Sequence, residues 1–189
     1  MNEQAKANID KCTKELVDFV NVQSNVLLLL EYSKNYSNYI CKSNLSSIFI
    51  VGIHFKTDDQ IISDIFKLIS NFIIDNENSL ENSEFIIKNE FSIPFLVDSI
   101  DTSNAKRKIA ALQILSKLAT LHTKLMQKAF LINQERLVQL LTIINKEDKT
   151  ILSTFLSIVP ILVQDNGDFQ LLFAFNLIGN LMEYVKNKL

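Results

Sequence analysis

The side chains best suited to chemistry are few and scattered. His54 and His122 lie in separate segments, and neither has a second histidine, cysteine or carboxylate at metal-ligand spacing. Cys12 and Cys41 show neither metal-ligand nor redox spacing, so a reducing compartment is the expectation. Asp165-Asn166-Gly167-Asp168 resembles the start of a calcium loop, but it lacks the alternating acidic residues and the closing glutamate. A turn between helices is expected there. No glycine-rich phosphate loop, GxSxG elbow or HExxH pair occurs. Met126 and Met182 fall on apolar faces and are expected in the core. The expectation is a protein that is not an enzyme and carries no cofactor and no metal.

The elements that would position a binding surface are helices. Only 3 glycines and 2 prolines interrupt a chain that is 48% hydrophobic, too few turn residues for a sandwich, barrel or Rossmann sheet. The net charge of −2 supplies no global field for nucleic acid or an anionic membrane. The charge is unevenly placed. Asp58, Asp59, Asp64, Asp75, Glu77, Glu81, Glu84, Glu90, Asp98 and Asp101 crowd the middle, followed by Lys106, Arg107, Lys108, Lys117, Lys124, Lys128 and Arg136. A solvated surface is the plain reading; an acidic half and a basic half suited to orienting a protein partner is the sharper one. The polar start, Met1 to Lys11, has no signal-peptide core, and the apolar run Ile48 to Phe55 is too short to span a bilayer. A cytoplasmic monomer with no transmembrane segment is expected. The triplets at Asn35 and Asn44 read as chance glycosylation matches in an Asn-rich chain.

Four segments share one order: a long apolar helix, a polar turn, a shorter helix and another apolar helix. The long helices are placed at Val26 to Ser33, Ile61 to Ile74, Lys106 to Leu121 and Thr150 to Val163. Tyr32, Phe72, Leu118 and Ile161 then stand at equivalent places, at spacings of roughly 40–46 residues, within the range of armadillo and HEAT units. The polar run from Asp75 to Asn82 is expected to be an inserted loop. Pro160 should kink or shorten the fourth long helix, because it lacks a backbone donor and clashes with the preceding turn. Residues 1–23 are expected to form a capping helix with Ile9, Leu16, Val17 and Val20 as its apolar stripe, and residues 24–187 the repeats, in one domain spanning 1–189. Glu183 to Leu189 would close the stack with a charged tail. Ser46 to Phe55 is β-branched and aromatic, yet it has no second strand to pair with and is expected to be helical.

His122 to Phe130, Glu135 to Leu141 and Lys149 to Leu162 read as a short, a middle and a long helix. This order resembles the armadillo repeat, as do Leu137-Val138-Gln139-Leu140-Leu141 and Leu115-Ser116-Lys117-Leu118-Ala119. The resemblance implies an all-α, armadillo/HEAT-like, right-handed superhelical solenoid of about four repeats. It also implies a concave groove lined by the long third helices. The family's Trp-and-Asn positions fall on Lys67 and Asn71, on Gln113 and Lys117, and on Leu156 and Pro160. The chain has no tryptophan, and Lys67 and Lys117 would repel a basic peptide. Lys67, Asn71, Gln113, Lys117 and Leu156 are therefore expected to meet a folded protein surface.

Two client classes follow from finer resemblances. Asn82 to Phe85, Ile93 to Val97, Lys106 to Leu112 and Met126 to Phe130 resemble the armadillo-type nucleotide-exchange factors of heat-shock chaperones. That resemblance implies binding to the chaperone's nucleotide-binding domain, without a catalytic residue. Asn89 and Asn133 stand near places where that family carries glycine. Leu125 to Asp148 and Val163 to Phe173 resemble the armadillo head of the general vesicle-tethering factor, which implies a membrane-traffic or cytoskeletal adaptor.

Overall fold

The computed structural model describes residues 3–74, 77–144 and 149–167, together with residues 170, 171, 174, 179, 182 and 186. Asp75, Asn76, Asp168 and, apart from Lys186, the expected charged tail at 183–189 lie outside the described residues. The described residues contain helices and turns and no strand. They divide into two compact units, residues 1–95 and residues 96–189.

Helix α1 (Glu3–Val17) buries Ala5, Ile9, Cys12 and Leu16, a stripe at steps of four and three. The expected stripe is half right. Val17, one residue off the buried stripe, is exposed at 59%, and Val20 is exposed at 46% because the helix stops before it can stay in phase. The Val20 N–H donates to the Glu15 carbonyl at 2.8 Å and the Phe19 N–H to the Leu16 carbonyl at 3.1 Å. That is a Schellman turn, and Phe19 occupies its left-handed position at φ 55°.

Helix α2 (Val22–His54) is two helical halves meeting at Tyr36, whose backbone is non-helical at φ −131°, ψ 29°. A straight helix of 33 residues would be about 50 Å long. Yet Phe19, just before α2, stacks on His54, its last residue, with ring centroids 4.3 Å apart. The halves must therefore run antiparallel. The polar segment around Tyr36 makes the reversal, and the apolar run from Ser46 to His54 is helical as expected.

Helix α3 (Asp59–Ile73) starts at Asp58, whose side chain accepts from the Gln60 and Ile61 N–H groups at 3.0 Å each. It buries Ile61, Ile62, Ile65, Leu68, Ile69 and Phe72. The expected inserted loop is shorter than its polarity suggests. Helix α4 (Ser79–Lys88) already begins inside it, and Asn82 is fully buried. The Asn82 Nδ2 donates to the Phe72 carbonyl at 3.1 Å, satisfying an acceptor at the end of α3. Helix α5 (Ser92–Asp98) carries Phe95 into the core, with its ring 5.5 Å from Phe49 and 5.6 Å from Phe66. Gly52 permits this packing, since a Cβ there would collide with the Phe95 ring.

In residues 96–189, α6 (Ala105–Leu121) is capped by Asn104, which accepts from the Arg107 N–H at 3.2 Å. It is followed by α7 (Thr123–Ile132) and α8 (Gln134–Ile144). Asn89 and Asn133 are the C-caps of α4 and α7. Pro160 breaks the fourth long helix as expected: α9 (Lys149–Leu156) ends before it and α10 (Val159–Val163) starts around it. In the first turn of α10 the missing N–H breaks no hydrogen bond. Met126 is fully buried, whereas Met182, also expected in the core, is 58% exposed.

Hydrogen bonds between side chains or from side chain to backbone repeat at one sequence separation. Within residues 1–95, Asn71 bonds Ser33, Gln23 bonds Asp64, Asn38 bonds Asn78 and Glu81, Cys41 bonds Asn82 and Asn89 bonds Ser46, at separations of 38–43 residues. Within residues 96–189, Arg136 and Gln139 donate to Asp98 at separations of 38 and 41, and Gln127 donates to the Leu162 and Gln164 carbonyls at 35 and 37. Each layer is tied to the layer one repeat further on. This is the contact pattern of a solenoid, in which a repeat buries its face against its neighbours.

Candidate protein-binding surface

Of the five residues expected to face a partner, Lys67 and Asn71 lie one turn apart on α3. Lys67 is exposed and donates to Asp64 Oδ1 at 2.7 Å. Asn71 is half-buried and donates to the Ser33 hydroxyl at 2.8 Å. Gln113 and Lys117 lie one turn apart on α6, the first exposed and the second half-buried. Leu156 is 38% exposed at the end of α9, and Pro160 is exposed in α10. The first pair belongs to residues 1–95 and the other three to residues 96–189.

Asp64, read from sequence as one of a run of surface acids, is a buried carboxylate with a side chain 1% exposed. Gln23 and Gln60 donate to its Oδ2 at 2.9 and 2.8 Å, and Lys67 to its Oδ1. Burial opposes the charge. The three hydrogen bonds and the Lys67 ammonium outweigh it and hold the carboxyl below the ordinary value. Lys67 is thus committed to a structural ion pair, which the spacing alone could not reveal.

Two clefts flank the reversal in α2. One, of about 410 Å³, is lined by Ser33, Lys34, Asn35, Asn71, Ile74 and Asn78, among others. The other, of about 310 Å³, lies against Ala5, Leu28, Tyr32, Asn35 and Tyr36. Asn35 borders both. The first gathers amide, hydroxyl and ammonium groups around the exposed side chain of Ile74, which suits polar contact with protein rather than enclosure of an apolar ligand. The sequence pointed to Asn71 only; the neighbours arrive because α2 folds back at Tyr36, a reversal without glycine or proline to announce it.

The thiols are unsuited to covalent chemistry. Burial, with the charge of Glu81 adding to it, pushes Cys41 up to about 12. Cys12 is raised by burial and by Glu15. No group of three or more His, Cys, Asp or Glu that could hold a metal occurs among the described residues. No helix among them is long and apolar enough to cross a membrane.

These features define an all-α solenoid of helical repeats, compatible with an armadillo-like arrangement. Among solved structures, the chain is similar to a crystal structure of Uso1-1, at TM-score 0.75 and 16% identity over 97% of this chain. It is also similar to one of Uso1-2, at TM-score 0.73 and 15% identity over 95%. The chain spans about a third of the length of those structures, 33% and 32%. No family model and no curated protein matches the sequence.

Proposed function

We propose that the chain is a protein-binding helical-repeat module that serves membrane traffic, with no catalytic step of its own. The observation that carries this reading is the similarity of nearly the whole chain to about a third of the chain in a crystal structure of Uso1-1, Uso1 being a vesicle tethering factor. The polar cleft beside Asn71 supplies surface for a folded partner, and Gln113, Lys117 and Leu156 are groove positions assigned to it from sequence. The cochaperone reading draws no support from the comparisons.

Proximity labelling in the source cell, with this chain fused to a biotin ligase, tests the proposal. Proteins of vesicle transport should be enriched, and a Gln113→Glu, Leu156→Glu variant should lose them. Lys67 is a poor probe because replacing it also disturbs buried Asp64. Enrichment of a heat-shock chaperone, with faster nucleotide release on adding the purified chain, would sink the proposal and restore the cochaperone.

A further inference from the structure

Helix α7 has two contrasting faces. Met126, Gln127, Ala129 and Phe130 are buried. Lys124, Lys128 and Ile132, each four residues from the next, are exposed along the other side. Positions four apart on a helix are surface neighbours. Ile132 is 73% exposed, more than any other large apolar side chain among the described residues. Neither Lys124 nor Lys128 has a carboxylate partner among the described residues.

The preceding repeat handles its corresponding helix differently. On α4, Leu80 and Phe85 are exposed, but the charges around them are closed by lysines: Glu81 pairs with Lys42 at 2.7 Å and Glu84 with Lys88. The Lys42 ammonium also lies 5.6 Å from the Phe85 ring centre. The α4 face of a second copy therefore has no spare carboxylate to offer α7. A bilayer is also a poor match, because polybasic recognition of anionic lipid takes clusters of about 4–8 cations. What fits two uncompensated lysines beside one bare isoleucine is a protein segment carrying acids and an apolar side chain.

We propose that the exposed face of α7 docks an acidic segment of a partner protein, with two carboxylates one helical turn apart on Lys124 and Lys128 and an apolar side chain over Ile132. This rests on the reading of the chain as a protein-binding module. The test is fluorescence anisotropy with a labelled helical peptide that carries two glutamates four residues apart and a leucine four residues further on. A peptide with lysines for the glutamates is the control.

The acidic peptide should bind, and more weakly as salt rises. Lys124→Glu with Lys128→Glu should weaken it by about tenfold or more and admit the lysine peptide, and Ile132→Ser should weaken it by about tenfold. All three side chains are exposed, so unchanged unfolding midpoints certify that the variants fold. Failure of the acidic peptide to bind, or equal binding by the charge-reversed variant, overturns the proposal. So does binding only to phosphatidylserine vesicles, lost on charge reversal. The purified chain and a synthetic peptide suffice here, so failure is distinguishable from failure of the membrane-traffic reading in cells.

Discussion

In residues 1–95, Lys11, Lys42, Lys67 and Lys88 each face a carboxylate. In residues 96–189, Arg136 pairs with Asp98. The sequence counts run the same way. The first unit has 8 Lys and Arg against 13 Asp and Glu, a net −5, and the second has 11 against 8, a net +3. Both units tie their layers together by bonds 35–43 residues apart. They differ in the sign of their net charge. In a stacked architecture the buried faces must match their neighbours, so differences between repeats accumulate on exposed faces.

The strongest way to break the comparison is to attack the core of the first unit. Phe95 is buried between Phe49 and Phe66 and rests over Gly52. Phe95→Ala should cost about 3–5 kcal/mol in urea unfolding, from lost transfer energy and the cavity left behind. Gly52→Ala should cost about 1–3 kcal/mol, because its methyl meets the same ring. The Gly52→Ala cost should shrink in the Phe95→Ala background, where the ring is gone. Additive effects of the two changes would show that the contact does not limit packing.

The parts of the fold that depend on apolar period were legible in the sequence. The long helices at α3 and α6 lie within two residues of their expected bounds, and the Pro160 break followed from its missing donor. Polar residues with buried duties were not legible. Asn82 reads as loop but caps the end of α3, and Asp64 reads as solvated surface but is held by two glutamines and a lysine. Composition gives a residue's polarity, whereas its partners are set by the packed geometry, as when Gln23 reaches Asp64 from 41 residues away. The reversal at Tyr36 falls in the polar turn expected after Ser33, and its sharpness is fixed by packing and by bonds such as Asn8 to Tyr32 and Tyr39 to Asp10. Lys67, assigned to the partner surface from sequence, is exposed and also paired to Asp64.

Asp64 and Asp98 sharpen the comparison at the level of one side chain. Each is a carboxylate with a donor one repeat away, Gln23 for Asp64 and Arg136 and Gln139 for Asp98, but Asp64 is 1% exposed and Asp98 34%. Asp64→Asn should cost about 1–3 kcal/mol at neutral pH, since its donors lose a charged acceptor in a buried site. Asp98→Asn should cost less than about 1 kcal/mol, as its pair is screened by solvent. The folded Asp64 carboxyl is held below the ordinary aspartate value by its donors. Its contribution is therefore complete above the unfolded value and is lost as pH falls through the lower folded one. Urea midpoints followed from neutral pH into the acid range should fall less steeply in Asp64→Asn than in the parent chain. An unchanged acid limb would remove Asp64 as a source of the pH dependence.

A local effect concerns Phe19, where the first unit turns from α1 into α2. A left-handed backbone at this position of a Schellman turn is normally occupied by glycine, and for a bulky residue it carries strain of about 1 kcal/mol or more. Here the ring is retained against His54 at 4.3 Å and Phe55 at 5.9 Å. Such ring contacts contribute about 0.5–1.5 kcal/mol beyond area burial, enough to offset the strain. Phe19→Ala keeps the strained backbone and loses the rings, so it should destabilise by about 1–2 kcal/mol. Phe19→Gly loses the same contacts but accepts the positive φ freely, so it should recover about 0.5–1 kcal/mol relative to alanine. The ordering Phe, then Gly, then Ala in urea midpoint is the signature of a turn closed by stacking against backbone strain. A glycine variant no more stable than alanine would mean that the left-handed turn does not persist in solution.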